Sequence, residues 1–271
     1  MQTQNRPIVF LSVFKSGTEM MKRMIEELTA LEPMEPEIIP GKVNYQDPAQ
    51  LYYKPGSFYA WHLFPIPEVQ KKLIESQARP VFMLRNVYDL VVSMYYHFAH
   101  NIDADVGRGR NVDHYFRAMS KEEGLSCIAQ GMLKPDFVWR GIGPHCHQMV
   151  LMLEFASIYP CFVTCYEHMT QNKSAELQKL AHFLEIPLHE AQMQKIVYNS
   201  RFDVMKKEAD SKNVGSHFRK GRSGSHAQEL REIHIQQIQM AIQTHAPQLS
   251  ELLAKANLSH ILNVADLSGS T

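Results

Sequence analysis

The apolar run Ile8-Val9-Phe10-Leu11 is followed almost at once by Lys15-Ser16-Gly17-Thr18, and then by apolar residues at helical spacing: Met20, Met21, Met24, Ile25 and Leu28. Apolar runs of about four to eight residues read as buried strands, and the later recurrence reads as an amphipathic helix. The segment therefore predicts a strand, a tight loop and a helix N-terminus. The first turn of a helix has N–H groups without intrahelical partners, its dipole adds partial positive charge, and small residues let an anion approach the backbone. Lys15 adds a full positive charge, and Ser16 and Thr18 add hydroxyl donors. The loop lacks the first glycine of G-x-x-x-x-G-K-[ST] and places its lysine before the glycine, which disfavours an ordinary nucleoside triphosphatase. Taken alone, such a turn serves equally as a phosphate cradle or as a plain strand-to-helix corner carrying a surface lysine.

The 271-residue chain has 28 Lys plus Arg against 28 Asp plus Glu. No overall field recruits nucleic acid or an anionic membrane, so any anion site must be local. Met1 to Arg6 is polar and leads directly into the first strand, and no apolar stretch approaches the roughly eighteen residues of a membrane span. A soluble, unexported, cytoplasmic protein is expected, as a single domain over residues 1–271. Four cysteines without a dense framework suit reduced thiols. Cys146 lies between His145 and His147, and Cys161, Cys165 and His168 follow, but none of the C-x2-C or H-E-x-x-H spacings that preorganise zinc occurs. Cys161 to Cys165 reads as a buried strand in which cysteine acts as a small apolar residue, and no metal is expected.

Strand-like and helix-like segments alternate. Phe58 to Trp61, Pro80 to Leu84 and Phe162 to Cys165 are further strand candidates. Helices are expected from Pro67 to about Ser76, Tyr88 to His97, Gln148 to Ile158 and Leu177 to Leu184, and from Gln228, where Leu230, Ile233, Ile238 and Ala241 mark a packed face. Glu32 to Tyr53 reads as irregular, and Asn101 to Gly143 as loops with short helices. Glu208 to His226 reads as a mobile, positively charged loop. The alternation argues for an α/β fold, a parallel sheet flanked by helices, in which ligands bind beyond the carboxyl ends of the strands. Lys15, Arg85 and Tyr166 stand at three such ends.

Arg85 can grip a phosphate with two parallel hydrogen bonds, and Ser93 follows two helical turns later. Alone, the pair is better explained by a surface ion pair and a solvent-facing serine. Together, however, Phe14-Lys15-Ser16-Gly17-Thr18, Arg85-Asn86 through Ser93-Met94-Tyr95-Tyr96-His97-Phe98, Tyr166-Glu167 and Phe218-Arg219-Lys220-Gly221 closely resemble the motifs of cytosolic-type sulfotransferases, in the family's order. The resemblance implies a P-loop-like sulfotransferase fold and 3'-phosphoadenosine 5'-phosphosulfate (PAPS) as donor, with adenosine 3',5'-bisphosphate (PAP) as product. It implies that Lys15, Ser16, Gly17 and Thr18 hold the 5'-phosphosulfate, with Lys15 at the bridging oxygen. Arg85, Ser93, Arg219, Lys220 and Gly221 would hold the 3'-phosphate, and Tyr166, Ser200 and Phe202 the adenine. A family histidine in a K-T-H-L-P-like run maps onto His62 in Ala60-Trp61-His62-Leu63-Phe64-Pro65, which makes His62 the expected base, with an ordinary pKa suited to cytoplasmic pH.

The chain departs from the pattern at four places. Met20 replaces a tryptophan that stacks on adenine, Ala60 replaces a lysine near the reacting sulfate, and Ser225-His226 replaces an Asp-Trp after Gly224. Glu19 replaces a second hydroxyl residue; it either pairs with a cationic acceptor or simply complements the helix dipole. The expected partner is a small-molecule acceptor, with a hydroxyl or an amine as nucleophile. Divergence from the phenol and steroid enzymes inclines toward natural-product tailoring, a cationic alkaloid toxin being one possibility. The alternatives are a nucleotide-binding or kinase-like protein of the same fold without catalysis, or a scaffold with vestigial motifs. Leu252 to Thr271 carries no recognisable dimer motif, which leaves the oligomeric state open.

Overall fold

The computed structural model describes residues 6–34, 37–38, 51–100, 113–211, 221 and 223–264. The chain forms two compact units, one from the chain up to Leu84 with Leu151–Ser200, the other from Arg85–Val150 with Arg201 onward. In chain order the first unit carries β1 (Ile8–Ser12), α1 (Thr18–Thr29), β2 (Pro33–Met34), β3 (Glu37–Ile38), β4 (Leu51–Tyr52), β5 (Phe58–Trp61), α2 (Pro67–Glu75) and β6 (Arg79–Leu84). The second takes α3 (Val87–Ala99), α4 (Asp113–Arg117), α5 (Lys121–Gln130), β7 (Met132–Lys134), β8 (Phe137–Trp139) and the N-terminal half of α6 (Gly143–Ile158). The first unit then resumes with the rest of α6, β9 (Phe162–Cys165), α7 (Tyr166–Gln171), α8 (Lys173–Phe183) and α9 (Glu190–Asn199). The second ends with α10 (Phe202–Ser211), α11 (His226–Glu229), α12 (Glu232–His245), α13 (Leu249–Lys255) and a 3-10 helix at Ser259–Leu262.

The first unit is built on a five-stranded sheet in the order β2-β5-β1-β6-β9, with every pair parallel. This is the expected α/β fold. All five residues of β1 and all six of β6 are buried, as strands covered on both faces must be, which is why they read as continuous apolar runs rather than alternating ones. Phe10, Phe58, Tyr59 and Phe82 are fully shielded from water, each contributing about 2 kcal/mol of burial free energy. Later strands lie on both sides of β1, so its carboxyl end is the switch point at which such sheets open a crevice. The register brings the strand ends level: Leu11 pairs with Trp61, Ser12 with Met83, and Leu84 with Cys165.

In the second unit, α3 is the central element, with Val87, Leu90, Val91, Val92 and Met94 buried. An aromatic cluster continues from its end: Phe98 stacks on Phe116 at 5.7 Å and meets Trp139 edge-on at 5.1 Å.

Several segments differ from the sequence expectation. The stretch expected to be loops with short helices holds a ten-residue helix, α5, and an antiparallel hairpin of β7 and β8; strands of three residues are too short for alternation to register. Helix α6 begins at Gly143 rather than near Gln148, because Pro144 is tolerated in a first helical turn. Of the loop expected over 208–226, residues up to Ser211 are helical in α10 and His226 opens α11; residues 212–220 and 222, with Arg219 and Lys220 among them, lie outside the described residues. On α12 the buried positions are His234 and Ile238, and Ile233 is exposed. The polar His234 can take the inner position because it accepts from the Arg231 N–H and donates to the Glu122 carbonyl. Among the described residues no helix is long and apolar enough to cross a membrane.

Candidate active site

In the first unit the loop after β1 is shaped by two left-handed residues, Lys15 (φ 68°) and Gly17 (φ 95°). Left-handed geometry is uncommon for a lysine and is one way chains gather backbone N–H groups around an anion. Gly17 is required twice over. Beyond its positive φ, a Cβ there would stand 2.6 Å from the Tyr166 ring and 3.0 Å from the Met83 methyl. Ser16 is fully buried; its hydroxyl donates to the Met83 carbonyl (3.0 Å) and its N–H to the Val13 carbonyl (3.0 Å). Ser16 thus anchors the loop on the end of β6, and its side-chain proton is directed there. No side chain caps the N-terminus of α1; the Met20 and Met21 N–H groups donate to the Gly17 carbonyl, which leaves those of Thr18 and Glu19 for an external acceptor.

A chain of polar groups crosses the strand ends beside this loop. The Thr18 hydroxyl lies 2.9 Å from the Ser12 hydroxyl, which lies 3.1 Å from His62 Nδ1. The same Nδ1 is 3.1 Å from the Ser12 carbonyl oxygen. A carbonyl only accepts, so these partners assign the ring proton to Nδ1 and the lone pair of the neutral imidazole to Nε2. His62 is exposed. Its ring meets Phe14 edge-to-face at 5.5 Å, and Lys15 Nζ stands 5.6 Å from the centre of the same Phe14 ring. Ser12 is the residue the sequence reading missed. A serine ending a strand carries no signal of its own, and its partner is fifty residues away.

Other expected residues of this unit are placed as follows. Tyr166 is buried at the start of α7 against Gly17. Ser200 is buried at the end of α9, its hydroxyl donating to the Val197 carbonyl while its own carbonyl accepts from Lys173 at 2.6 Å. Met20 is buried in α1, and exposed Glu19 lies 4.0 Å from Lys22. Burial pushes the Cys161 thiol up to about 12 and that of Cys165 higher still, and in the second unit it pushes Cys146 up to about 12, so none of the three is a thiolate nucleophile at neutral pH.

In the second unit Arg85 is buried immediately before α3, and half-buried Ser93 lies two turns inside it. Asn86 caps α3, its side chain accepting from the N–H groups of Tyr88 (3.0 Å) and Asp89 (3.1 Å). Asp89 is held near 2, below its ordinary 3.8: burial opposes ionisation, but the hydrogen bond from His226, the charges of Arg85 and His226 and the Gly224 N–H outweigh it. Gly221 (φ 64°) lies directly on Phe202, since a Cβ there would fall 2.2 Å from the ring. These two expected ligands are therefore neighbours.

The family model described as "Sulfotransferase domain" matches residues 5–255. Among curated proteins, Sulfotransferase 1B1 of Canis lupus familiaris is 24% identical over 221 residues, covering 76% of this chain and 68% of that protein. Sulfotransferase 1 family member D1 of Mus musculus is 27% identical over 199 residues, 69% of this chain and 60% of that protein. Among solved structures, mouse sulfotransferase SULT7A1 complexed with PAP aligns over 93% of this chain and 88% of its own, with a TM-score of 0.65 at 18% identity. Retinol dehydratase in a complex with retinol and PAP aligns over 90% and 82%, with a TM-score of 0.57 at 15% identity. These likenesses establish the shared fold.

Proposed function

Because the chain belongs to the sulfotransferase family, we propose that it transfers the sulfuryl group of PAPS to a hydroxyl or amine of a small-molecule acceptor, with His62 as base and Lys15 opposite the leaving phosphate. The observation that carries this reading is the chain Thr18–Ser12–His62 beside the phosphate-type loop. The PAP held by both structural neighbours above points to the same donor.

The residues present fit such a donor. The uncapped N-terminus of α1, the close backbone approach allowed at Gly17 and the adjacent Lys15 suit a 5'-phosphosulfate. Buried Arg85, with Ser93 on α3, suits the 3'-phosphate, and Tyr166, Ser200 and Phe202 are assigned to the base. Arg219, Lys220 and Gly221 are assigned to the 3'-phosphate from the sequence motif. When bound, the donor supplies an electrophilic sulfur with a bisphosphate as leaving group. His62 Nε2 takes the acceptor's proton. Lys15 and the Thr18 and Glu19 N–H groups of α1 stabilise the negative charge that develops at the bridging oxygen, as fixed donors. Phe14 keeps His62 and Lys15 adjacent to one aromatic surface. Each charge that develops meets a residue of the chain, so the step as proposed uses no metal.

The acceptor is assigned to natural-product tailoring on the chain's distance from its curated relatives, with exposed Glu19 pairing a cationic group on it. Balanced charge and the free thiols of Cys127, Cys146, Cys161 and Cys165 support a cytoplasmic protein without nucleic-acid or membrane partners. The test is radiolabelled transfer from PAPS to a panel of phenols, alcohols and amines, beside calorimetric donor binding. His62→Asn is expected to keep donor affinity and lose about 10²–10⁴ in kcat, and Glu19→Gln to raise KM for amines only. A His62 variant that still turns over would overturn the base assignment, and donor binding without transfer in the wild type would favour a non-catalytic nucleotide-binding protein. An unchanged amine KM in the Glu19 variant rejects that pairing.

A further inference from the structure

Helix α9 of the first unit has few buried apolar side chains. They are Met193 and Ile196; past Ile196 the helix has half-buried Val197 and exposed Tyr198. Its last turn is fixed instead by two charged side chains of neighbouring helices. Asn199 Nδ2 donates to both carboxylate oxygens of Glu27 on α1, at 3.0 Å and 2.9 Å. Lys173, at the start of α8, donates from Nζ to the Ser200 carbonyl at 2.6 Å. The last carbonyls of a helix lack intrahelical partners and carry partial negative charge, so an ammonium is a strong donor to them. Ser200 itself is buried, and its N–H donates to the Ile196 carbonyl (3.0 Å).

Glu27 differs from the exposed carboxylate of Glu19 on the same helix, because its side chain is only 19% exposed. Arg23, one turn back, stands 3.9 Å from Oε1, beyond hydrogen-bond distance. The Asn199 amide is closer to both oxygens, and hydrogen bonds to an ionised acceptor are about twice as strong as neutral ones. Helix α1 is also the one whose first turn closes the Lys15–Thr18 loop. Nine residues separate Glu27 from Thr18, about 13 Å of helix rise. One rigid helix thus carries the phosphate-type loop at its start and the anchor of the α9 end near its finish.

We propose that Glu27 is a positioning residue which, through Asn199, holds the Ser200 end of α9 at a fixed distance from the phosphate-type loop and so sets how well the site recognises the base of its nucleotide. This rests on the reading of Ser200 as a contact of the donor's base. Lys173 fixes the same turn from α8, so the end of α9 is held in two directions while its buried apolar residues stop one turn short of it. Glu27 acts through Asn199 and Ser200, so its effect falls on the base and not on the phosphates.

The experiment is calorimetric titration of the full chain with PAP and with uridine 3',5'-bisphosphate, which carries the same two phosphates on a different base. The wild type is expected to prefer PAP. Asn199→Asp sets two carboxylates against each other and should lower PAP affinity about tenfold, with the uridine nucleotide unchanged. Combining it with Glu27→Gln restores an amide facing a carboxylate with the roles exchanged, and should recover PAP affinity to within about threefold of wild type. Glu27→Ala removes the acceptor and should cost PAP alone about fivefold; it decides the matter if Asn199→Asp does not fold. A wild-type PAP preference in these single variants overturns the inference alone. So does an equal loss of both nucleotides, which would make the pair a general brace of the helix, and so does a double variant no better than Asn199→Asp. A wild type that binds the two nucleotides equally overturns the reading of Ser200 beneath it.

Discussion

A histidine serves as a base only if the lone pair is on the nitrogen that faces its substrate, and at His62, the base proposed above, that choice is set by Ser12. Its carbonyl fixes the proton on Nδ1, and its hydroxyl supports the same nitrogen while linking it to Thr18. The two contributions separate by mutation. Ser12→Ala keeps the carbonyl and removes one neutral hydrogen bond worth about 1 kcal/mol, so kcat should fall about fivefold in a steady-state assay; an unchanged kcat would show that the carbonyl alone orients the ring. At this scale the sequence was legible where a residue type is rare at its position. Lys15 and Gly17 announced the loop, and Arg85 the end of β6. Ser12 did not, and neither did the anchoring role of Ser16, whose hydroxyl donates to Met83 67 residues away.

Elements were legible in proportion to their length and burial. β1, β6 and β9 are continuous apolar runs and were read close to their true bounds. The hairpin of β7 and β8 was invisible because three-residue strands show no period. Helix α3 illustrates how an element is held by its first turn: Asn86 caps it and donates to the Asn263 carbonyl at 3.0 Å, while Asp89 gathers four donors from Gly224 to His226. Because the folded Asp89 titrates near 2 and an unfolded one near 3.8, it contributes stability that is complete above pH 4. That contribution, on the order of 2 kcal/mol, is lost as pH falls toward 2. Thermal melts should therefore show Asp89→Asn well below the wild type at neutral pH, with the gap closing through this window. A gap that stays constant down to pH 2 would mean the carboxylate is not the anchor.

For the molecule as a whole, alternation of strands and helices was enough to reach the α/β class, and four short motifs in order were enough to reach the family that matches residues 5–255. The acceptor was not legible, because the segments expected to line its cavity, Glu32 to Phe58 and Asp103 to Trp139, hold aromatic, charged and glycine residues that follow no periodicity; residues 35–36, 39–50 and 103–112 of those segments are outside the described residues. What the whole chain must do, on this account, is recognise an adenosine carrying phosphates at both ends. The most direct measurement is isothermal titration with PAP, with 5'-AMP as the control that lacks the 3'-phosphate, on the wild type, Lys15→Ala and Arg85→Ala. Micromolar binding of PAP, much weaker for 5'-AMP and lost in either variant, is the predicted result; absent binding, or equal binding of the two nucleotides, would contradict it.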